Sequence, residues 1–313
     1  MDILGIIVPV FGVVLLGYLA AKFGFFTGSD IRGLTKFVFA FAVPAMLFDT
    51  LATTALPAQI EWGYLASYYL GAFSVYGLGM LLGKRAFAQS LAEQAVFGLG
   101  AAYSNMVLLG IPLVLLAFGD AASVPLFLLI AFHSGLMFFT VSAIAEVGRG
   151  RGHHAFGKLV WITLRGLAKN PIVGGLLLGL AFNLLGLEIP DLLKRIIETL
   201  GRAALPCAVF ALGASLSGYR IAGQLPRALT LVGLKLLLHP LLVWLLAGFV
   251  FGVAPLWTAV AVTMAALPVG VNVYLFAQRY ASCVAPVATA ILLSTGLSVG
   301  TLFLLLLWWL NAG

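Results

Sequence analysis

The chain has 313 residues, of which 63% are hydrophobic and 9% charged, and its formal net charge is +7. A soluble domain is usually ~45–50% apolar and ~25% charged, so this composition excludes a soluble enzyme, a nucleic-acid-binding protein and a disordered protein. The mean hydropathy of +1.14 is typical of an integral membrane protein. The cysteines, Cys207 and Cys283, lie in apolar runs, and we expect no disulfide, metal site or cofactor.

Apolar runs long enough to cross ~30 Å of hydrocarbon predict an all-α membrane protein with ten transmembrane helices. The first run follows Met1 and Asp2 without a basic n-region, so we interpret it as a span and not as a cleaved signal peptide. The interval 147–170 is basic, and its stretch 156–165 is typical of a short helix on the membrane surface. The predicted spans are 3–21, 37–55, 62–82, 94–118, 124–146, 171–187, 199–218, 228–250, 256–277 and 284–310.

The distribution of basic residues predicts the orientation. With both termini outside, thirteen Lys and Arg residues fall in inside loops, whereas Lys194 and Arg195 fall in outside loops. Because cytoplasmic loops are enriched in Lys and Arg, we expect a multi-pass protein of the cytoplasmic (inner) membrane with both termini on the outer, periplasmic side. The thirteen inside residues are Lys22, Arg32, Lys36, Lys84, Arg85, Arg149, Arg151, Lys158, Arg165, Lys169, Arg220, Arg227 and Arg279.

The two halves of the chain correspond at an offset of about 162 residues. Matched residues of the first half are Pro9, Gly17, Pro44, Phe48 and Pro125, and their counterparts are Pro171, Gly179, Pro206, Phe210 and Pro286. Each half has five predicted spans, an odd number, so the second half enters the membrane from the opposite side. Such inverted repeats are typical of secondary transporters. We therefore divide the chain into a first five-helix repeat, 1–152, and an inverted second repeat, 153–313.

Two spans in corresponding positions, four and nine, each combine Asn, Gly and Pro near their middle. Proline removes a helical hydrogen bond, and broken backbone is tolerated in a membrane beside a polar cavity. Two half-helix N-termini at that depth present N–H groups and a positive dipole end to an anion. The other interpretation is that these prolines are kinks packed against neighbouring helices. The predicted substrate-binding residues are Ser104, Asn105, Gly110, Pro112, Pro268, Gly270 and Asn272.

Several segments, in order along essentially the whole chain, resemble the auxin efflux carrier family. They are the first span with Pro9 and the run 17–24, then 43–48, 104–112, 169–171 and 267–272. The resemblance implies a fold similar to bile-acid symporters and sodium/proton antiporters, with spans four and nine crossing at broken points. It implies a scaffold of spans one, two, six and seven and a moving transport domain of the other six. It also implies transport of organic acids, such as malonate, malate or auxin, and leaves a homodimer open.

Ionisable residues inside predicted spans are functional candidates, because charge is costly in hydrocarbon. Asp49 either pairs with Arg202 or acts as a gate or proton site. Lys235 either extends its long stem to the headgroups or attracts substrate. His133 and His239 titrate nearest neutral pH, and each either couples protons to transport or is a hydrogen-bonded structural residue.

The predicted function is secondary active transport of a small organic anion, a carboxylate, by alternating access. The alternative is a sodium-coupled symporter of a larger amphipathic acid; against it, predicted spans three and eight lack the carboxylate that supports an ion site in some relatives. An intramembrane enzyme needs a nucleophile with a base, a metal or paired acids, and a channel needs repeated polar lining; the sequence has neither pattern. The expected partners are the organic acid and membrane lipid, with no nucleic acid.

Overall fold

The computed structural model describes residues 3–56, 61–150, 152–221 and 224–312, and within them the regular structure is helical apart from one isolated β-bridge. Pro57 and Arg151, both assigned to predicted loops, lie outside the described residues. The helices are α1 (Ile3–Lys22), α2 (Gly28–Thr53), α3 (Trp62–Phe87), α4 (Leu91–Ala102), α5 (Met106–Phe118), α6 (Asp120–Gly148), α7 (Gly152–Ala168), α8 (Pro171–Leu184), α9 (Asp191–Leu216), α10 (Leu225–Val250), α11 (Pro255–Ala266), α12 (Asn272–Arg279) and α13 (Val284–Ala312).

Seven of the described helices are long and apolar enough to cross a membrane, namely α1, α2, α3, α6, α9, α10 and α13. The number rises to eight if the end of α7 and helix α8, which meet at a bend of 60°, form one span. The chain is therefore a multi-pass membrane protein by the length and composition of its helices. Predicted span six corresponds to α8. Predicted spans four and nine correspond to the helix pairs α4–α5 and α11–α12, and the helix is interrupted within each of these two spans.

Two helices begin well before the predicted spans. Helix α2 starts at Gly28, where the prediction placed a loop until residue 36, because Thr27 and Asp30 form a capping box in which the Asp30 carboxylate accepts from the Thr27 N–H at 2.8 Å. Helix α9 starts at Asp191, so Lys194 and Arg195 lie on a helix and not in a loop. Both helices begin with charged residues among the others, Asp30 and Arg32 in α2 and Asp191, Lys194 and Arg195 in α9, and a search for apolar runs therefore misses them.

Three prolines lie within continuous helices because the turn before each one is widened. Pro44, Pro112 and Pro240 each follow a π-helical segment by two residues. A proline lacks the N–H that would bond four residues back, and its ring clashes with that carbonyl; one extra residue in the preceding turn relieves both problems. The widened turns are Val38–Ala42, Met106–Gly110 and Leu234–Leu238.

Glycines bring two helix pairs into backbone contact. Helix α1 packs along α9, where a Cβ added at Gly17 would lie 2.2 Å from the carbonyl oxygen of Phe210. Helix α2 packs along α8, where a Cβ at Gly179 would lie 2.6 Å from the carbonyl oxygen of Phe48. Small residues allow this close approach between membrane helices. These four helices form one group. A second group packs mainly among itself and consists of α3, α4, α6, α10, α11 and α13.

Candidate functional site

Two helix breaks meet and complete each other's hydrogen bonding. After α4 and α11 end, Ser104 and Val269 form an antiparallel bridge. The Asn105 N–H donates to the Pro268 carbonyl at 3.1 Å, and the Gly270 N–H donates to the Tyr103 carbonyl at 2.9 Å. Backbone groups released by a broken membrane helix need internal partners, and here each break supplies them for the other. We call residues 103–105 and 268–270 the crossover.

The local sequence explains one break directly. Leu267 precedes a proline and is extended, with φ −60° and ψ 152°, because a residue before proline is driven out of the helical region. Gly270 allows the second segment to approach, since a Cβ there would lie 2.5 Å from the ring of Tyr103. Gly110 has a similar role: a Cβ on it would lie 2.7 Å from the side chain of Leu267.

A cavity of about 600 Å³ lies against the crossover. Its polar wall at the crossover is formed by Ser104, Asn105, His133, Ser134 and Asn272, and Thr35, Asn170 and Ser215 line it elsewhere. The first N–H groups of a helix have no acceptor within that helix. In α5 the Met106 N–H donates to the Ser104 carbonyl at 2.9 Å, so the Val107 and Leu108 N–H groups are the donors that this turn adds to the wall. The volume falls within the range that suits small-molecule ligands, ~300–1,000 Å³.

Tyr103 organises the polar wall. Its hydroxyl lies 2.9 Å from the Ser134 hydroxyl and accepts from the Asn272 side-chain amide at 3.2 Å. Its ring stacks on His133 with 4.7 Å between centroids. The Asn105 amide nitrogen is buried and has no hydrogen-bond partner within the described part of the chain. A buried donor without a partner is costly, and the Asn105 amide is therefore a natural contact for a bound acceptor.

The hydrogen bonding of His133 defines its protonation state. The Ser104 N–H donates to His133 Nε2 at 3.2 Å, and a ring nitrogen that accepts carries no proton. His133 is therefore neutral in this conformation and carries its proton on Nδ1. Protonation of Nε2 would place a second hydrogen against the Ser104 amide and break this contact with the crossover.

The seven residues predicted to bind substrate divide into two groups. Ser104, Asn105 and Asn272 border the cavity. The others are buried outside its wall and shape the crossing of the two helices; they are Gly110, Pro112, Pro268 and Gly270. Pro112 also does not make the break in its span, because the chain leaves the helix at Tyr103 and the widened turn accommodates the proline.

The buried bases lie behind the crossover. Lys235 is fully buried, and its Nζ donates to the carbonyl of Ala265. The expectation that this side chain extends to the headgroups is therefore wrong, because the side chain is enclosed by protein and its amine bonds to the backbone of α11. His239 is also fully buried, and within the described residues neither of its ring nitrogens has a hydrogen-bond partner. Tyr68 lies between the two histidines, 5.5 Å from His239 and 5.8 Å from His133 between ring centroids.

Asp49 is remote from the cavity, and its expected partner is not bound to it. Arg202 instead forms an ion pair with Glu198, one turn back on the same helix, at 3.5 Å. The Asp49 Oδ1 is buried without a hydrogen-bond partner among the described residues. The prediction of an Asp49–Arg202 pair is wrong because the intrahelical spacing of four residues gives Arg202 a nearer carboxylate.

The site also contains residues that the sequence interpretation missed. Arg32 and Lys36 border the cavity from α2, whereas the sequence predicts them only as basic residues of an inside loop. Both are exposed, so the cavity opens toward the face of the protein that carries them. Their spacing of four residues places them on one helix face, and this signal would have identified them once α2 was known to start at Gly28. No spacing or motif in the sequence indicates the role of Tyr103.

Comparisons with known proteins agree with these features. The chain matches a family model described as "Membrane transport protein" over residues 2–307. It is 30% identical over 301 residues to the "Putative malonate transporter" of Rhizobium meliloti (strain 1021), covering 96% of this chain and 93% of that protein. It is 24% identical over 294 residues to the "Uncharacterized transporter YfdV" of Escherichia coli (strain K12), covering 88% of each. It is 27% identical over 247 residues to the "Lysosomal cholesterol signaling protein" of Mus musculus, covering 74% of this chain and 28% of that protein.

Proposed function

Since the chain belongs to the membrane transport protein family, which is the auxin efflux carrier family of the sequence motifs, we propose that it is a secondary carrier of a small organic anion. The substrate is a carboxylate that binds at the crossover and crosses the membrane by alternating access. One observation carries this proposal: the cavity is bordered by the two breaks, by three asparagines and by two cations, with no carboxylate among the residues that line it. That wall is suited to an anion.

The proposed architecture is ten spans in two inverted repeats. In this arrangement α4–α5 and α11–α12 are the fourth and ninth spans, each crossing the membrane in two halves, and α8 is the sixth. A specific contact supports it. Gly17 packs on Phe210 and Gly179 packs on Phe48, and the sequence offset of 162 residues that relates the two glycines also relates the two phenylalanines. A two-fold exchange of the halves therefore converts one contact into the other.

The same arrangement separates a scaffold from a moving domain. We assign α1, α2, α8 and α9 to the scaffold and the other spans to the transport domain. The cavity is bordered by both groups, because Arg32 and Lys36 belong to α2 whereas the crossover belongs to the transport domain. A substrate held between the two groups becomes accessible to the other side when one group moves against the other.

The direction of the opening gives the state of the carrier. The cavity opens toward Arg32 and Lys36, which the distribution of basic residues places on the cytoplasmic side. The conformation is therefore inward-open, with both termini on the outer side of the cytoplasmic membrane. The two exposed cations lie at the cavity mouth, where they raise the local concentration of anions.

The proposed substrate class is a small dicarboxylate. One carboxylate contacts the Asn105 and Asn272 amides and the first turn of α5, and the other faces Arg32 and Lys36. The name of the Rhizobium relative, a malonate transporter, supports this choice, and malonate is the first compound to test.

The test combines binding and uptake by purified protein in detergent and in proteoliposomes. A ligand that binds only the folded state raises thermal stability by RT ln(1 + [L]/Kd). We expect malonate to stabilise the wild type and to be taken up, and Asn105→Ala and Asn272→Ala to lose both effects while remaining monodisperse. Thr53→Ala is the control, because its exposed hydroxyl bonds only to carbonyls of its own helix. Normal uptake by both asparagine variants refutes the crossover site.

A further inference from the structure

Lys235 lies at the C-terminal end of α11, one of the two half-helices that stop at the crossover. The widened turn Leu234–Leu238 contacts both α4 and α11. Within it, Lys235 is fully buried and donates to the carbonyl of Ala265, in the last turn of α11. The last carbonyls of a helix have no donor within the helix, and they form the negative end of its dipole. A buried lysine at this position supplies the missing donor.

No acidic partner of Lys235 is found among the residues that the structure describes. In that part of the chain no carboxylate oxygen lies within ion-pair distance of its Nζ, and the ion pair is that of Arg202 with Glu198. The titratable groups near it are the bases His133 and His239 and Tyr68, which lies between them. A positive charge at this position is therefore balanced by the helix ends and by whatever anion the crossover binds.

In carriers with broken helices, half-helix C-terminal ends and unwound carbonyls are the groups that coordinate a coupling sodium ion. Here a lysine of the chain already occupies such a position. We propose that Lys235 is a built-in cation of the transport site, which replaces a metal cation at the C-terminal end of α11 and supplies positive charge for the bound carboxylate. This inference rests on the proposed function.

Two consequences distinguish this arrangement from an ordinary buried lysine. Transport needs no sodium, because the site carries its own cation. Substrate affinity also depends on the charge of residue 235, because a glutamine in its place keeps a donor, one atom nearer the backbone, but carries no charge to attract the anion.

The experiment compares Lys235→Gln with wild type and with Lys84→Gln, which removes an exposed lysine at the end of α3. Malonate affinity is measured by thermal-shift titration, and uptake is measured in proteoliposomes with sodium or choline as the external cation. We expect equal wild-type uptake in both cations, an unchanged Lys84→Gln variant, and at least a tenfold loss of malonate affinity in folded Lys235→Gln.

Two results overturn the inference. One is a Lys235→Gln protein with wild-type malonate affinity, whether or not it keeps uptake. The other is a wild type whose uptake requires sodium; this comparison needs no variant, so it decides the question even if Lys235→Gln does not fold. If the wild type binds no carboxylate at all, the proposed function fails and the inference fails with it. If wild type and variant bind malonate equally, only the inference fails.

Discussion

Gly270 offers the sharpest test of whether the crossover geometry controls transport. Its backbone is not among the positive-φ positions of the described chain, so the effect of Gly270→Ala is steric. The added Cβ would lie 2.5 Å and 2.6 Å from two ring carbons of Tyr103. Carbon atoms in ordinary contact are ~3.5–4.0 Å apart, so the ring and the glycine segment must separate by about 1 Å.

That displacement acts on the wall of the cavity, because the Tyr103 hydroxyl accepts from Asn272 and contacts Ser134. Overpacking a tight site costs about 1–3 kcal/mol of stability, and a displacement of about 1 Å at a site can cost about 100-fold in rate. We therefore expect Gly270→Ala to fold, with a lowered melting temperature, and to take up malonate about 10–100-fold more slowly than the wild type.

The assay is initial-rate uptake of radiolabelled malonate into proteoliposomes with equal amounts of each protein. Gly77→Ala is the matched control, because that glycine is exposed on α3 and nothing lies within 4 Å of an added Cβ. Its uptake should equal that of the wild type. Wild-type uptake by Gly270→Ala would show that Tyr103 and the crossover need not stay in this geometry, and the reasoning from the cavity wall would fail.

Three further predictions concern the cavity mouth, the buried histidine and the helix packing. Arg32→Gln and Lys36→Gln should each raise the half-saturating malonate concentration severalfold at low salt and less at high salt. Arg85→Gln, which lies outside the cavity, should leave it unchanged. Equal values for all three variants would contradict the proposal that Arg32 and Lys36 concentrate anions at the cavity mouth. His133 accepts from the Ser104 N–H as a neutral ring, so His133→Gln, which keeps an acceptor, should keep the wild-type pH profile of uptake between pH 5 and 8; a pH dependence that disappears in the variant would show that the ring titrates during transport. Gly213→Ala would place a Cβ 1.9 Å from a carbonyl oxygen of α1, so the melting temperature should fall while the folded fraction keeps its malonate affinity; an unchanged melting temperature would argue against backbone contact there.

The sequence was sufficient for the membrane class and for the position of the crossover. Apolar runs report directly on burial in lipid, and the combination of Asn, Gly and Pro marks positions where helical backbone is weakened. The exact break in α4 was beyond prediction, because Tyr103 and Ser104 are not helix breakers. The chain leaves the helix there because the opposite segment, at Pro268 and Gly270, offers hydrogen-bond partners more than 160 residues away.

The errors on Lys235 and Asp49 have a common physical cause. Both expectations placed the side chain only by its depth in a predicted span. Lys235 lies in the widened turn before Pro240, which departs from the 3.6-residue period of an α-helix, and its side chain is fully buried. Arg202 lies on a helix that begins eight residues earlier than predicted, so Glu198 shares its surface. The helix face on which a residue lies can be predicted only where the start of the helix and its widened turns are also predicted.

The proposed cation also fixes how the membrane potential acts on the carrier. Lys235 is fully buried without a carboxylate partner among the described residues, so its charge is assigned to the loaded domain, where the bound anion balances it. A transport domain that holds a dicarboxylate beside charged Lys235 carries one net negative charge. Moving one charge across 100 mV is worth ~2.3 kcal/mol.

With the cytoplasm negative, the loaded domain is driven outward, so this half-cycle favours export. Proteoliposomes loaded with malonate should therefore release it faster when a potassium diffusion potential makes the lumen negative. Lys235→Gln, whose loaded domain carries two negative charges, should depend more steeply on the potential. Release that is faster with a positive lumen would contradict the assigned charges.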